Sequence, residues 1–254
     1  MSDGLVARLK ASLRQRGDFS EVLAEPLTTL SAGELARRSV YFPDGPVPLG
    51  DLFDLKGEPH GRIRFLGDLT LANRLGAGLS EGEVTVESSV GSEAGLALSG
   101  GSLDIDGDAG PRAGAAPLGF KRGMMGGELI VRGSAGEGAG AGMRRGVIVI
   151  VNQAGDETGL GMIAGTVVVF GSTGANPGLW SKRGSVVALG RITPPATYLY
   201  ACTCQPVYLR LLLMRLRVRY GLPVRPRHLN GLYRRYSGDM AELGKGEILA
   251  WTAK

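Results

Sequence analysis

Glycine recurs every 19 residues through the middle of the chain, and this repeat constrains the fold more than any other feature. The third segment has 26 residues and fits the same frame if seven extra residues are inserted between Gly114 and Met124. Glycine ends every segment, holds the thirteenth position of each and holds the ninth position of all but the first. Internal repeats of this kind are typical of stacked, solenoid-like folds. The segments are 64–82, 83–101, 102–127, 128–146, 147–165 and 166–184.

The residues between the glycines have the pattern of β-strands. The second and fourth positions of the segments are aliphatic, and a spacing of two places both side chains on one face of a strand. They are Val84 and Val86, Leu103 and Ile105, Leu129 and Val131, Ile148 and Ile150, and Val167 and Val169. The sixteenth position gives a further apolar column, formed by Leu79, Leu98, Met124, Met143 and Met162. Such columns predict coils stacked about 4.8 Å apart, with the columns as core and the glycines at the corners.

We therefore predict a mainly β fold, a right-handed parallel β-helix of about seven coils with 19-residue repeats. Because the open ends of such a stack must be covered, three segments are expected: an N-terminal cap over 1–60, the repeats over 61–193 and a C-terminal basic extension over 194–254. The extension is expected to be α-helical or irregular and to pack on the β-helix. The insertion in the third repeat is expected to form a loop.

Both flanking segments contain helix signals. Ser31 and Glu34 have the spacing of a capping box and predict the start of a short helix. Residues 206–220 begin with proline, are rich in leucine and arginine, and stop at Gly221. They predict a helix that lies across the last coil with its arginine heads in water. The alternation of polar and apolar residues within 215–220 leaves a strand there as an alternative.

Several functional classes are disfavoured by what the sequence lacks. No run of 18 apolar residues and no N-terminal apolar region typical of a signal peptide occurs, so we expect a cytoplasmic protein without a membrane segment. Cys202 and Cys204 are too few ligands for a metal or iron–sulfur site, and we expect small buried thiols. The only histidines, His60 and His228, lie outside the repeats. No catalytic residue and no metal site is predicted.

The G-x-G triplets, such as Gly138 to Gly140, do not predict a dinucleotide site. That site needs its glycines between one strand and one helix, whereas here they recur between strands. A β-helical acyltransferase is also disfavoured, because such enzymes use 18-residue coils and a catalytic histidine.

Basic residues are the remaining candidates for binding. The insertion 115–123 carries Phe120, Lys121 and Arg122 and is interpreted either as a binding loop or as a tolerated decoration. Arg144 and Arg145, and Lys182 and Arg183, hold positions seventeen and eighteen two coils apart, and should project from one corner roughly 10 Å apart. Net charge is +5, and 201–240 holds eight arginines with one acid. This charge favours a polyanion or acidic partner, or a solvated surface with intersubunit ion pairs. Nucleic acid is disfavoured, because the basic stretch lacks aromatic interleaving.

Three stretches carry a resemblance to a known family. They are LSAGELARRSVYFPDGPVPLGDLFDL near the start, GFKRGMMGGELIVRGSAGEGAGAGMRRGVIVIVNQAGDETGLGMIAGTVVVFG in the middle and LYRRYSGDMAELGKGEIL near the end. The repeat is similar to the GXGXG β-helix domain of glutamate synthase. The three stretches, which together span almost the whole chain, resemble the C-type subunit of formylmethanofuran dehydrogenase more closely, and the last stretch is specific to that C-type subunit.

The resemblance implies a scaffold subunit with catalysis on its partners. These are an amidohydrolase-like A-type chain with its metal, a B-type chain and a formyltransferase of the D type. The bacterial formyltransferase/hydrolase complex moves a formyl group from tetrahydromethanopterin to a methanofuran-type coenzyme and hydrolyses it to formate. The alanine- and arginine-rich composition is typical of a bacterium with a GC-rich genome, and a bacterial source favours this complex over the tungsten or molybdenum dehydrogenase of methanogens. A free polyanion-binding module remains an alternative.

The resemblance also implies which ligand the basic residues could meet, although no cofactor held by this chain itself is expected. The furan coenzymes carry a glutamate-rich tail, which cationic corners would attract in a salt-sensitive way. The predicted coenzyme contacts are Lys121, Arg122, Arg144, Arg145, Lys182 and Arg183.

Overall fold

The computed structural model of the chain describes residues 4–252. Residues 1–3 of the predicted cap and residues 253–254 of the predicted extension lie outside the described residues. The elements in chain order are β1 (Leu5–Leu9), β2 (Gly17–Asp18), α1 (Ala32–Arg37), β3 (Ser39–Phe42), β4 (Gly45–Pro48), α2 (Leu49–Leu52), β5 (Phe53–Lys56), β6 (Arg62–Leu66), β7 (Ala72–Asn73), β8 (Glu83–Val86), β9 (Ser102–Ile105), β10 (Glu128–Val131), β11 (Val147–Ile150), β12 (Thr166–Val169), β13 (Arg183–Ala188), β14 (Leu199–Cys204), α3 (Val207–Tyr220), α4 (Pro226–Asn230), β15 (Leu232–Gly238) and β16 (Lys245–Thr252).

Most of the strands belong to one large mixed sheet. Its order is β14-β15-β16-β13-β12-β11-β10-β9-β8-β6-β1-β5, and a second sheet has the order β4-β3-β2-β7. Pairing is parallel from β1 through β6 and β8 to β13 and on to β16, whereas β5, β15 and β14 are added antiparallel at the ends. The prediction of a mainly β protein is confirmed.

The strand register follows the sequence repeat. Each strand of a repeat pairs in parallel with the equivalent strand of the next, so equivalent residues stand side by side. One such row is Val84, Leu103, Leu129, Ile148, Val167 and Val186. A second row of single parallel bridges joins Leu69, Val90, Ala109, Ala135, Ala154 and Thr173. The extra residues of the third repeat therefore leave the strand stacking undisturbed.

The columns predicted to be core are buried. The sixteenth-position residues, from Leu79 to Met162, are all at most 1% exposed, which confirms that the methionines form a core ladder. Apolar side chains of the N-terminal segment continue the same core. Phe19 packs edge-on against Phe53, and Phe53 against Phe65, at ring-centroid distances of 6.4 and 5.6 Å.

The glycine columns have two different physical causes. The thirteenth and last positions have positive φ, as at Gly114 (+67°) and Gly146 (+94°), where other residues are strained. The ninth position has no such φ but a very close neighbour. A Cβ on Gly136 would lie 2.7 Å from the nitrogen of Pro111 in the preceding repeat.

The predicted helices form. Ser31 and Glu34 make the expected reciprocal capping box at the start of α1. The helix of the basic extension, α3, ends at Gly221 with φ of +63°, so the alternative of a strand over 215–220 is wrong. Within residues 4–252, every helix is too short or too polar to span a lipid bilayer.

The expected position of α3 across the last coil is wrong. Its buried leucines Leu209, Leu213 and Leu216 pack on the outer face of the parallel strands. The reason is that the third position of the later repeats is apolar, so this face needs a cover. Those outer residues are Ile130, Val149, Val168 and Val187.

The contacts at the two ends of α3 give its direction. Near its start, Tyr208 Oη donates to Ser185 Oγ at 3.1 Å beside β13, and near its end Arg219 lies 3.4 Å from Glu83 of β8. The helix thus runs along the stacking direction. The last repeat is instead covered by β16, and Tyr198 packs against Val186 and Ile248 there. The expectation of an α-helical or irregular extension is therefore wrong in part, because β14, β15 and β16 of this segment continue the large sheet.

Candidate functional site

The insertion of the third repeat forms a loop that is tied down at both of its bases. The amide of Ala116 donates to the carbonyl of Ala141 at 2.8 Å, and the amide of Gly123 donates to the carbonyl of Gly142 at 2.8 Å. The next repeat therefore fixes where the loop leaves and rejoins the stack. Between these bases the apolar side chains of Leu118 and Phe120 point into solvent, at 75% and 72% exposed.

A groove of about 670 Å³ lies between this loop and Trp180. Its floor is made of small or aliphatic residues at positions fourteen and fifteen of the fourth and fifth repeats: Ala141, Gly142, Leu160 and Gly161. A Cβ on Gly142 would lie 3.1 Å from Cβ of Ala116, so the glycine avoids a tight contact with the loop base and adds no side chain to the groove floor.

Trp180 forms the opposite wall because it breaks a column of small residues. Position fifteen is glycine in the two preceding repeats and tryptophan in the sixth. Trp180 is held in the left-handed region, with φ of +57°, and its amide donates to Asp239 Oδ2 at 2.8 Å. Asp239 is fully buried and also accepts from the amide of Ala241 at 2.9 Å. It thereby fixes the turn before β16, from which Glu242 reaches the groove.

The groove is cationic and partly aromatic. Lys121, Arg122 and Lys182 line it and are exposed, and none of them has a carboxylate partner within residues 4–252. Glu242 is the single acid among the described lining residues. Cations beside exposed aromatic rings suit a ligand that carries carboxylate or phosphate groups next to an apolar part.

The structure brings together three of the six predicted contacts. Lys121, Arg122 and Lys182 line the groove, whereas Arg144, Arg145 and Arg183 are not among its lining residues. Those three hold positions seventeen and eighteen of their repeats, where Arg145 and Arg183 are exposed and Arg144 is half-buried.

Arg112 is a lining residue that the sequence reasoning missed. Glu93 accepts from Arg74 Nε at 2.7 Å and from Arg112 Nε at 3.2 Å, and Arg112 Nη2 donates to the carbonyl of Ala116 at 2.5 Å. This chain of ion pairs runs up one column of the stack and braces the loop base. Its signal was present in the sequence, because Arg74, Glu93 and Arg112 all hold position eleven.

The cysteines are less buried than predicted. Cys202 is exposed and Cys204 is half-buried, because β14 is the outermost strand of the sheet and lies beyond β15. Within residues 4–252 no group of three histidine, cysteine or acidic side chains is placed to hold a metal ion.

The two histidines lie apart from the groove. His228 is buried between the rings of Phe170 and Trp251, and burial together with Arg227 and Arg225 lowers its pKa. His60 is exposed at the junction before β6.

Comparison with known proteins gives a match over the whole chain. The matching chain is part of the X-ray crystal structure of the formyltransferase/hydrolase complex (FhcABCD) from Methylorubrum extorquens in complex with methylofuran. The two chains are 33% identical with a TM-score of 0.79, and the match covers 98% of this chain and 100% of the other. No protein-family model and no curated protein matches the chain.

Proposed function

Since the chain belongs to the family of a subunit of the formyltransferase/hydrolase complex, we propose that it is the C-type subunit, a non-catalytic structural component of such a complex. The observation that carries the proposal is the end-to-end match at 33% identity. Its partners are then an amidohydrolase-like A-type chain, a B-type chain and a formyltransferase of the D type. The complex transfers a formyl group from formyl-tetrahydromethanopterin to a methanofuran-type coenzyme and hydrolyses it to formate. The methylofuran in the matching structure supports a coenzyme of this type.

The architecture proposed for this role is a right-handed parallel β-helix. Two parallel rows of contacts support it, one through the strands from β6 to β13 and one through the single bridges from Leu69 to Thr173. We divide the chain into a cap over 1–60, the repeats over 61–193 and the basic extension over 194–254. A stack of this kind presents long, rigid side faces, which suits a subunit that holds others in place.

Assembly is tested by purifying the chain, with an affinity tag, from its own cells. The expected result is co-elution in fixed ratio with an amidohydrolase-like and a formyltransferase-like chain, identified by mass spectrometry after size-exclusion chromatography. Co-elution with a molybdopterin and iron–sulfur protein would instead assign the chain to the dehydrogenase form. A monomer that binds acidic polymers without partners would favour a polyanion-binding module.

We also propose that the groove receives the anionic part of the coenzyme. The support is the placement of Lys121, Arg122 and Lys182 around one cavity without ion-pair partners in the described chain. Arg144, Arg145 and Arg183 would extend the same positive field along the adjoining corner. Attraction between exposed charges of this kind weakens as salt rises, because the Debye length falls to about 8 Å at 0.15 M.

The double variant Lys121→Glu/Arg122→Glu tests the coenzyme site. In the assembled complex we expect at least about tenfold weaker binding of the coenzyme, since each lost charge-assisted contact contributes about 1.5–3 kcal/mol. The control is Arg14→Glu, an exposed cation of the N-terminal segment outside the groove. Unchanged coenzyme affinity in a correctly assembled double variant would refute the site and leave the assembly proposal intact.

A further inference from the structure

Helix α3 carries two apolar stripes, and the described part of the chain, residues 4–252, covers only one of them. Leu209, Leu213 and Leu216 are at most 1% exposed against the sheet. The second stripe, with spacings of four, three and four residues, consists of Val207 (73% exposed), Leu211 (62%), Met214 (40%) and Val218 (82%). At about 3.6 residues per turn, these four side chains share one face of the helix. A helix that is apolar on both sides is normally buried on both sides.

Charge distinguishes the two edges of this exposed stripe. On one edge, Arg215 and Arg219 form ion pairs with the buried carboxylate of Glu128, and Arg219 also reaches Glu83. On the other edge stand Arg210 and Arg217, which are exposed and have no carboxylate partner within residues 4–252. Among the residues that the structure describes, two of the four arginines of α3 therefore have no counter-charge, and both lie on the same edge of the stripe.

We propose that the stripe of Val207, Leu211, Met214 and Val218 is the docking surface for an amphipathic helix of another subunit, with acidic residues along the edge that meets Arg210 and Arg217. The inference rests on the proposed function, since it requires that the chain be assembled with other subunits. Helix-on-helix docking uses anchors at this spacing, and the paired charges fix orientation and register.

A second copy of this chain is a poor occupant. The sequence of α3, VYLRLLLMRLRVRY, contains no acid. If two copies related by a twofold axis packed with their α3 helices antiparallel, each edge would face the same edge of the other copy. If the helices were parallel, Arg210 and Arg217 would face Arg215 and Arg219. Either arrangement leaves like charges facing each other, which disfavours self-association. A partner with acids on one edge removes this repulsion.

Photo-crosslinking in the complete complex tests the surface directly. Leu211 or Val218 is replaced by benzoyl-phenylalanine, and after irradiation the captured peptide is identified by mass spectrometry. We expect both positions to capture one helix of another subunit that has acidic residues along one edge. The comparison position is Tyr41, which is 43% exposed on β3 and should not capture that peptide.

Charge reversal tests the second half of the inference. Arg210→Glu/Arg217→Glu is expected to weaken assembly at least about tenfold, because truncating or reversing charged anchors at an interface has effects of this size. Arg14→Glu should leave assembly unchanged.

Several results would overturn the inference. Capture of a second copy of this chain, absence of any capture in a fully assembled complex, binding of the stripe to anionic vesicles in place of a partner chain, or unchanged assembly of the charge-reversed variant would each do so. None of these results would contradict the proposed function, provided that the wild-type chain co-purifies with its partner chains. A wild-type chain that joins no partner would overturn both.

Discussion

Replacing either of two leucines of α3 by alanine should change the free energy of unfolding by very different amounts, although the two residues are only two positions apart. Leu213 is fully buried against the outer face of the sheet, whereas Leu211 is 62% exposed on the uncovered stripe. Leu213→Ala removes buried methyl groups and leaves a cavity beneath the helix, so the free energy of unfolding should fall by about 3 kcal/mol, within the 2–5 kcal/mol typical of such sites. Leu211→Ala should change it by less than about 0.5 kcal/mol, because an exposed position contributes little and alanine favours helix.

Urea unfolding of the isolated chain, followed by circular dichroism and analysed for midpoint and slope, measures both changes. Comparable losses for Leu211→Ala and Leu213→Ala would mean that α3 is rotated relative to the sheet, and the docking surface would fall with that result. In the assembled complex, the association of the subunits is measured in place of the free energy of unfolding. Leu211→Ala should then weaken the association of the subunits although the isolated chain is unaffected, a combination that a purely structural residue cannot produce.

Three further perturbations follow from the fold. Gly100→Ala should destabilise the chain by about 3 kcal/mol in urea unfolding, because the added Cβ would lie 2.0 Å from the Ser80 carbonyl oxygen. Gly33→Ala in α1 should instead stabilise it by about 0.5–1 kcal/mol, because the added Cβ would have no neighbour nearer than 4.0 Å. Asp239→Ala removes the buried carboxylate that accepts from the amides of Trp180 and Ala241, so the free energy of unfolding should fall by about 1–3 kcal/mol and tryptophan emission should shift. Asp239→Asn keeps one acceptor oxygen and should lose less. Burial lowers the pKa of His228, so the folded protein favours the neutral imidazole. The contribution of His228 to stability is therefore complete above the unfolded pKa of about 6.5, and it declines as pH falls from that value towards the folded pKa. Unfolding curves at about pH 7.5 and about pH 5.5 should therefore differ less for His228→Gln than for wild type, and an equal difference would contradict this origin.

The repeat is the part of the fold that the sequence predicts best, because each of its columns has a local cause. Positive φ and close backbone approach both require glycine, and both act within one or two neighbouring repeats, as at Gly146 and Gly136. The same locality explains why the capping box of Ser31 and Glu34 and the end of α3 at Gly221 were predictable.

The predicted position of α3 is wrong because the packing of this helix depends on residues far away in sequence. Its apolar face fits either the end of the stack or the side of the strands, and the helix alone does not distinguish them. The information lies in the third position of the repeats, which changes from Thr85 and Asp104 to Ile130, Val149 and Val168. Only the later repeats have an apolar outer face, and α3 covers it. Arg132 completes the fit, since its guanidinium binds Asp104 and donates to the carbonyl of Tyr220 at 3.1 Å.

The prediction that both cysteines are buried is wrong for a related reason. A C-x-C pair in a β-rich chain is consistent with burial, and what decides the outcome is whether another strand follows. Cys202 and Cys204 lie on β14, which in the part of the chain that the structure describes pairs with β15 alone. Strand order is set by pairing across the whole extension, so it is not readable from the six residues of β14.

The groove and the exposed stripe of α3 both arise where residues depart from a regular pattern. In a uniform stack, position fifteen would hold a small residue in every repeat and the side of the molecule would be smooth. Gly142 and Gly161 keep to that rule and make the floor of the groove, whereas Trp180 and the insertion break it and make the walls. The same logic applies to α3, where a simple surface helix would have one apolar face and Leu211 and Val218 give it two. In a repeat protein the regular residues determine the fold, so residues that break the pattern without stabilising the isolated chain are the ones to test for binding.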